Sequence, residues 1–111
     1  MEQLTEWLSA DAEFSLGEAL KTTNKANMRL RASLEQLIRR RCEGERIILE
    51  SEGNLPDGKR FYAIVKKPIR CYCWIQDGRF CISHYIHKKW TKLRPEDTER
   101  VCKNWREFNR A

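Results

Sequence analysis

The sequence contains no apolar run approaching the roughly 20 residues that span a bilayer, so no membrane partner is expected. Its opening stretch, Met1 to Ala12, carries Glu2, Glu6 and Asp11 and lacks the basic-then-apolar pattern of a secretory signal. No internal repeat, low-complexity stretch or linker divides it. There is no P-loop, no Rossmann glycine pattern and no Ser-His-Asp signature, which excludes the commonest nucleotide-binding and hydrolase designs. The five cysteines, Cys42, Cys71, Cys73, Cys81 and Cys102, are an odd number and cannot all pair. Without a leader they read as reduced thiols in a cytoplasmic protein. A zinc site is disfavoured as well. Cys71 and Cys73 fall along one predicted strand rather than in a tight Cys-turn-Cys arrangement, and Cys81 is expected to face away from them. They read as small buried hydrophobes, and no cofactor or metal is expected.

What is present fits one small basic domain, residues 1–111. Hydrophobic residues make up 41% and aromatic residues 10% of the 111 residues, enough to form one core without staples. The formal charge of +6 points to a polyanionic partner. The charge is clustered at Arg39-Arg40-Arg41, at Lys66-Lys67 and at His87-Lys88-Lys89.

The periodicity predicts an α+β fold in two parts, a helical part over residues 1–44 and a sheet plus C-terminal helix over 46–109. Leu4, Trp7 and Leu8 suit an amphipathic helical turn, with caps at Ser9 and Ser15 and a second helix from about Phe14 to Lys21. The clearest helix is Lys25 to Cys42, capped by Asn24 and ended by Gly44. Leu30, Leu34, Leu37, Ile38 and Arg41 form its stripe. Ile47 to Leu49 read as a short strand, and Glu52-Gly53-Asn54 and Pro56-Asp57-Gly58 as loops. Arg60 to Lys66, Ile69 to Ile75 and Arg79 to His87 then read as an antiparallel meander of three strands, four with the short one. Asp77-Gly78 forms a tight hairpin turn. Pro95 opens a last helix with Glu96 and Asp97 in its first turn and Val101, Cys102, Trp105 and Phe108 on one stripe.

A two-residue turn at Asp77-Gly78 would place Cys71, Cys73, Ile75, Phe80, Ile82, His84 and Ile86 on the face under the helices. Arg70, Tyr72, Trp74, Cys81, Ser83, Tyr85 and His87 would form the opposite, exposed face. Aromatics there would stack bases while cations neutralise phosphates. A bulge would exchange the faces of one strand.

The stretch Arg70-Cys71-Tyr72-Cys73-Trp74, the turn Gln76-Asp77-Gly78-Arg79 and the run Phe80 to Lys89 resemble the RelE/HigB toxin superfamily. Trp90 to Pro95 continues the pattern, and the resemblance spans about Lys25 to Phe108. It implies a metal-independent mRNA endoribonuclease, acting on or off the ribosome and neutralised by a cognate antitoxin protein. The ribose 2′-hydroxyl attacks phosphorus, which requires a base, an acid and cations for the phosphorane. In that reading Arg70, Lys88 and Lys89 hold phosphate, His84 matches the family histidine and Tyr85 could donate a proton; His87, which the family pattern does not mark, is a candidate base or acid from its place on the polar face near the lysines. Lys59, Arg60, Lys66, Lys92, Tyr72 and Trp74 would bind RNA. Each residue also has a plainer role: an ion pair for Arg70, a hydrogen-bonded core position for His84, sheet packing for the tyrosines, a solvated strand end for the lysines. Family members usually begin with a β-strand, and their first meander strand often carries an arginine where this chain has Ile64. The latter favours the rival reading, a non-catalytic module on the same scaffold that binds RNA, the ribosome or a protein. A phage-encoded inhibitor on that scaffold is a third.

Overall fold

In the computed structural model, residues 1–21, 24–87 and 92–110 are described. The fold is α+β. Strand β1 (Thr5–Leu8) is followed by helices α1 (Ala12–Ala19) and α2 (Lys25–Cys42). Strands β2 (Glu50–Asn54), β3 (Arg60–Lys66), β4 (Ile69–Gln76) and β5 (Arg79–His87) come next, and helix α3 (Pro95–Asn109) last. The five strands form one sheet in the order β1-β5-β4-β3-β2. Neighbours are antiparallel except β1, which runs parallel to β5.

Helix α2 forms where its periodicity predicts. The Asn24 side chain accepts the Asn27 backbone N–H at 2.9 Å, and Gly44 takes a φ of +98° just beyond the C-terminus. Both Asp77 (φ +52°) and Gly78 (φ +73°) have left-handed backbone, which is the tight turn expected between β4 and β5.

Helices α1 and α2 cover one face of the sheet. There Leu16, Leu34 and Ile38 pack on Ile64, Cys71, Cys73, Phe80 and Ile82. Helix α3 covers the other, with Val101, Trp105 and Phe108 against Phe61, Tyr72, Trp74 and Cys81. Each large apolar side chain buried this way contributes about 1.5–3 kcal/mol.

Three local expectations are corrected. The first concerns the N-terminus, where Thr5–Leu8 is a strand and not a helical turn, so the 1–44 part is not wholly helical. Most of this edge strand is exposed, but Leu4 just before it and Trp7 within it each reach a core. Leu4 points into the α1/α2 cluster, while Trp7 turns to the α3 side, 5.0 Å from Phe108 and 6.0 Å from Trp74 between ring centroids. Apolar residues three apart on a strand face opposite ways, and here both ways lead into a core, which imitates helical spacing. The sheet is therefore mixed and five-stranded, not an antiparallel meander of three or four.

Second, Ile47 to Leu49 is not a strand: Ile48 is exposed, and the edge strand is instead Glu50–Asn54. Its Gly53 was expected in a loop. A β-carbon there would lie 2.7 Å from the Phe61 ring, so the glycine lets a buried phenylalanine close on the strand.

Third, β5 is bulged. Cys73 pairs with Ile82, but Tyr72 pairs with His84, leaving Ser83 as the extra residue. The backbone groups freed by the bulge are taken by side chains from elsewhere. Ser9 Oγ donates to the Ser83 carbonyl at 2.6 Å, Asn104 Nδ2 donates to it at 3.1 Å, and the Tyr85 N–H donates to Ser15 Oγ at 3.0 Å. Ser9 and Ser15 thus serve the bulge, not the helix caps predicted for them.

Candidate functional site

The bulge decides where the predicted site residues go. Before it, the alternation along β5 is as expected. After it, His84 and Ile86 turn to the α3 face with Tyr72 and Trp74, and Tyr85 turns to the α1/α2 face with Cys71 and Cys73.

His84 is buried, and it lies in a chain of directed hydrogen bonds. Asn104 Nδ2 donates to Ser83 Oγ at 2.9 Å. Ser83 Oγ lies 2.8 Å from His84 Nδ1, and His84 Nε2 lies 3.2 Å from Asp97 Oδ1. Burial lowers the imidazole's pKa despite its carboxylate partner. Burial pushes the Asp97 carboxyl up, but the bond to His84 and the nearby Arg94 outweigh it and hold the carboxyl below its ordinary value. At neutral pH the pair is therefore a neutral imidazole and a carboxylate. Only one tautomer fits, with Nε2–H donating to Asp97 and Nδ1 accepting from the serine hydroxyl. The connectivity is that of a Ser-His-Asp relay, but Ser83, His84 and Asp97 are 0%, 0% and 1% exposed. The hydroxyl has no access to a substrate, and the chain fastens α3 to β5.

Arg70 sits on the same face, one residue pair from Tyr72. Ala63, the small residue opposite Tyr72 on β3, lets the arginine reach over to β2. There its Nη1 donates to Glu50 at 3.0 Å and to Glu52 in a closer contact. Two carboxylates thus meet one guanidinium, and its charge is already answered. The Tyr72 hydroxyl is buried with no hydrogen-bond partner among the described residues, and its ring centroid lies 5.0 Å from that of His84. Burial raises its pKa strongly, and Asp97 and Glu52 add to the rise. Trp74 is buried too, and its indole N–H donates to Gln76 at 3.1 Å. The face expected to present Tyr72 and Trp74 to bases is closed by α3, so neither ring is open to stacking. Sequence reasoning missed this because the Val101-Trp105-Phe108 stripe needs only one sheet face, and the other helices already supplied cover for the first.

On the α1/α2 face, Tyr85 is 6% exposed, and burial drives its pKa up further than that of Tyr72. A hydroxyl held protonated this firmly is a poor base. His87 is exposed and lines two grooves. One of about 440 Å³ runs past Glu18, Lys21 and Pro68, and one of about 270 Å³ past Phe14, Arg94 and Arg100. Lys88 and Lys89 lie outside the described residues. The predicted catalytic groups that are described therefore fall on two faces: Arg70 and His84 on one, Tyr85 and His87 on the other.

The predicted RNA-binding cations Lys59, Arg60, Lys66 and Lys92 are all exposed. Arg60 differs from Arg70 in what holds it: its Nε donates to Ser51 Oγ at 2.9 Å and its Nη1 to Asn54 Oδ1 at 3.0 Å. Both acceptors are neutral, so the guanidinium is oriented while keeping its charge. Together with Lys59 and Tyr62 it borders a groove of about 560 Å³ that also reaches Arg41. Tyr62 and Arg41 were not singled out from the sequence as binding residues, although an arginine within the apolar stripe of α2 was a visible signal.

All five cysteines are free. Burial pushes the Cys71 and Cys81 thiols up to about 12 and raises Cys73 as well, as expected for core positions. Cys71 and Cys73 share the α1/α2 face and Cys81 lies on the other. Among the described residues no three His, Cys, Asp or Glu side chains converge as metal ligands would. Among the described helices none is long and apolar enough to cross a membrane. Comparison with protein-family models, curated proteins and solved structures gave no match to this chain.

Proposed function

We propose that the chain is a non-catalytic RNA-binding module on a RelE/HigB-like scaffold. The observation that carries this reading is the bulge at Ser83, which sets Tyr85 and His87 on the face opposite Arg70, where regular alternation would have kept the three together. His84 and Tyr85 are buried on opposite faces, Arg70 is neutralised by Glu50 and Glu52, and Ile64 stands where the family often has an arginine. The α+β class, with helices before the sheet and a final helix after it, supports such a scaffold, although the sheet is five-stranded and mixed where an antiparallel meander was expected. The net charge of +6 supports a polyanion as partner, and oriented, uncompensated cations such as Arg60 support a phosphate backbone.

A second reading, the metal-independent mRNA endoribonuclease restrained by an antitoxin, draws on one observation. His87 is exposed between two grooves that also carry Lys21, Arg94 and Arg100, and Lys88-Lys89 follows it directly in the sequence. In that reading His87 exchanges the protons while the lysines hold phosphate.

Expression in cells with ultraviolet cross-linking separates the two. The binding module yields cross-linked RNA, continued growth and intact transcripts. Growth arrest with transcripts ending in cyclic phosphate, abolished by His87→Ala, would replace it with the second reading.

A further inference from the structure

The groove beside the β2–β3 edge has a feature the functional reading does not use: a buried arginine without a carboxylate. Arg41 is 3% exposed, and its guanidinium donates through Nη1 to the Glu2 carbonyl at 3.2 Å. Among the described residues no acid pairs with it, although the chain pairs Arg31, Arg40, Arg70 and Arg100 with acids elsewhere. A buried cation that lacks an anion is costly. Arg41 borders the groove of about 560 Å³ together with Lys59, Arg60 and Tyr62, and among the described residues no acidic side chain lines it. Leu49 and Ile75 complete an apolar floor.

We propose that this groove is where RNA binds, as a single strand. Its phosphates lie on Lys59 and Arg60 at the rim, the positive field of Arg41 draws the backbone inward, and one base rests on Tyr62 above Leu49 and Ile75. This rests on the RNA-binding reading. Duplex RNA is a poorer occupant, because a base can reach an aromatic ring in a groove only when it is unstacked. Arg60 is suited to the task because Ser51 and Asn54 fix its guanidinium and leave donors for a phosphate oxygen.

The test is titration of the full chain with a short labelled oligouridylate across a salt series. It compares the wild type with Lys59→Ala/Arg60→Ala, with Tyr62→Leu, and with Lys103→Ala/Arg106→Ala, which removes two exposed α3 cations far along the chain from the groove. The proposal expects the first variant to lose affinity by roughly tenfold or more and to show a shallower salt slope, by about one to two contacts. Tyr62→Leu is expected to lose roughly five- to a hundredfold with the slope unchanged, as for a lost stacking contact. The α3 pair should bind as wild type. Because the rim cations are exposed, the first variant folds whatever happens at Tyr62. Wild-type binding that the rim variant leaves untouched, or that the α3 pair abolishes, overturns the groove and leaves the RNA-binding reading standing. No wild-type binding at low salt overturns both.

Discussion

At the scale of single residues, neighbouring groups decide what each charged side chain is free to do. Arg70 and Arg60 are both strand arginines near the same edge, yet one is spent on Glu50 and Glu52 while the other is held by neutral acceptors. Replacing Arg70 by alanine leaves Glu52, only 10% exposed, without its partner. The variant should unfold in urea with a loss of about 1–3 kcal/mol and keep its affinity for RNA. Loss of RNA binding with stability unchanged would instead place Arg70 in the binding surface. His84 gives a pH signature. Its folded pKa lies below the ordinary value of 6.5, so the unfolded chain takes up a proton first as pH falls. Its stabilising contribution is complete above pH 6.5 and is lost as pH falls from there through the folded value. The slope is roughly 1.4 kcal/mol per pH unit for one proton. Asp97, lowered from 3.8, adds a second loss below that pH. Thermal melts between pH 7 and 5 should show the wild type losing stability, and His84→Gln, weaker at pH 7, losing much less over the same interval.

At the scale of elements, what was legible in the sequence was what local chemistry alone fixes. Asn24 and Gly44 bound α2, Asp77-Gly78 sets the hairpin, and Pro95 opens α3; each is a signal carried by one or two residues. What was not legible depends on partners distant in the chain. The bulge at Ser83 exists because Ser9, Ser15 and Asn104, from three other places, satisfy the backbone it disturbs. No period within β5 announces it, and one extra residue exchanged the faces of His84 and Tyr85, leaving Tyr85 opposite Arg70. Strand β1 was hidden because Leu4 and Trp7, three apart, serve cores on opposite faces, and β2 by a glycine whose purpose is contact with Phe61. Two substitutions check these packing claims by urea unfolding. Gly53→Ala forces a β-carbon onto Phe61 and should cost about 1–3 kcal/mol. Trp74→Ala empties the centre of the α3 face and should cost about 3–5 kcal/mol, whereas Trp105→Ala, at a half-buried position, should cost less. Equal losses for the two tryptophans would mean that α3 packs more deeply than described.

At the scale of the whole molecule, both faces of the sheet are closed by helices, so function is left to the rims and grooves. Charge survives there unevenly. Many surface arginines are matched by acids, and the groove bordered by Arg41, Lys59 and Arg60 is not. A net charge of +6 on a small domain raises its encounter rate with any polyanion, but a fixed site adds a definite number of released counterions. The most direct measurement is the affinity of the purified chain for single-stranded RNA over a salt series, with the RNA recovered from each point on a denaturing gel. Binding that weakens linearly on logarithmic axes, with full-length RNA at every point, is the predicted result. Absence of binding at low salt, or recovered RNA shortened to fragments with cyclic phosphate ends, would contradict it.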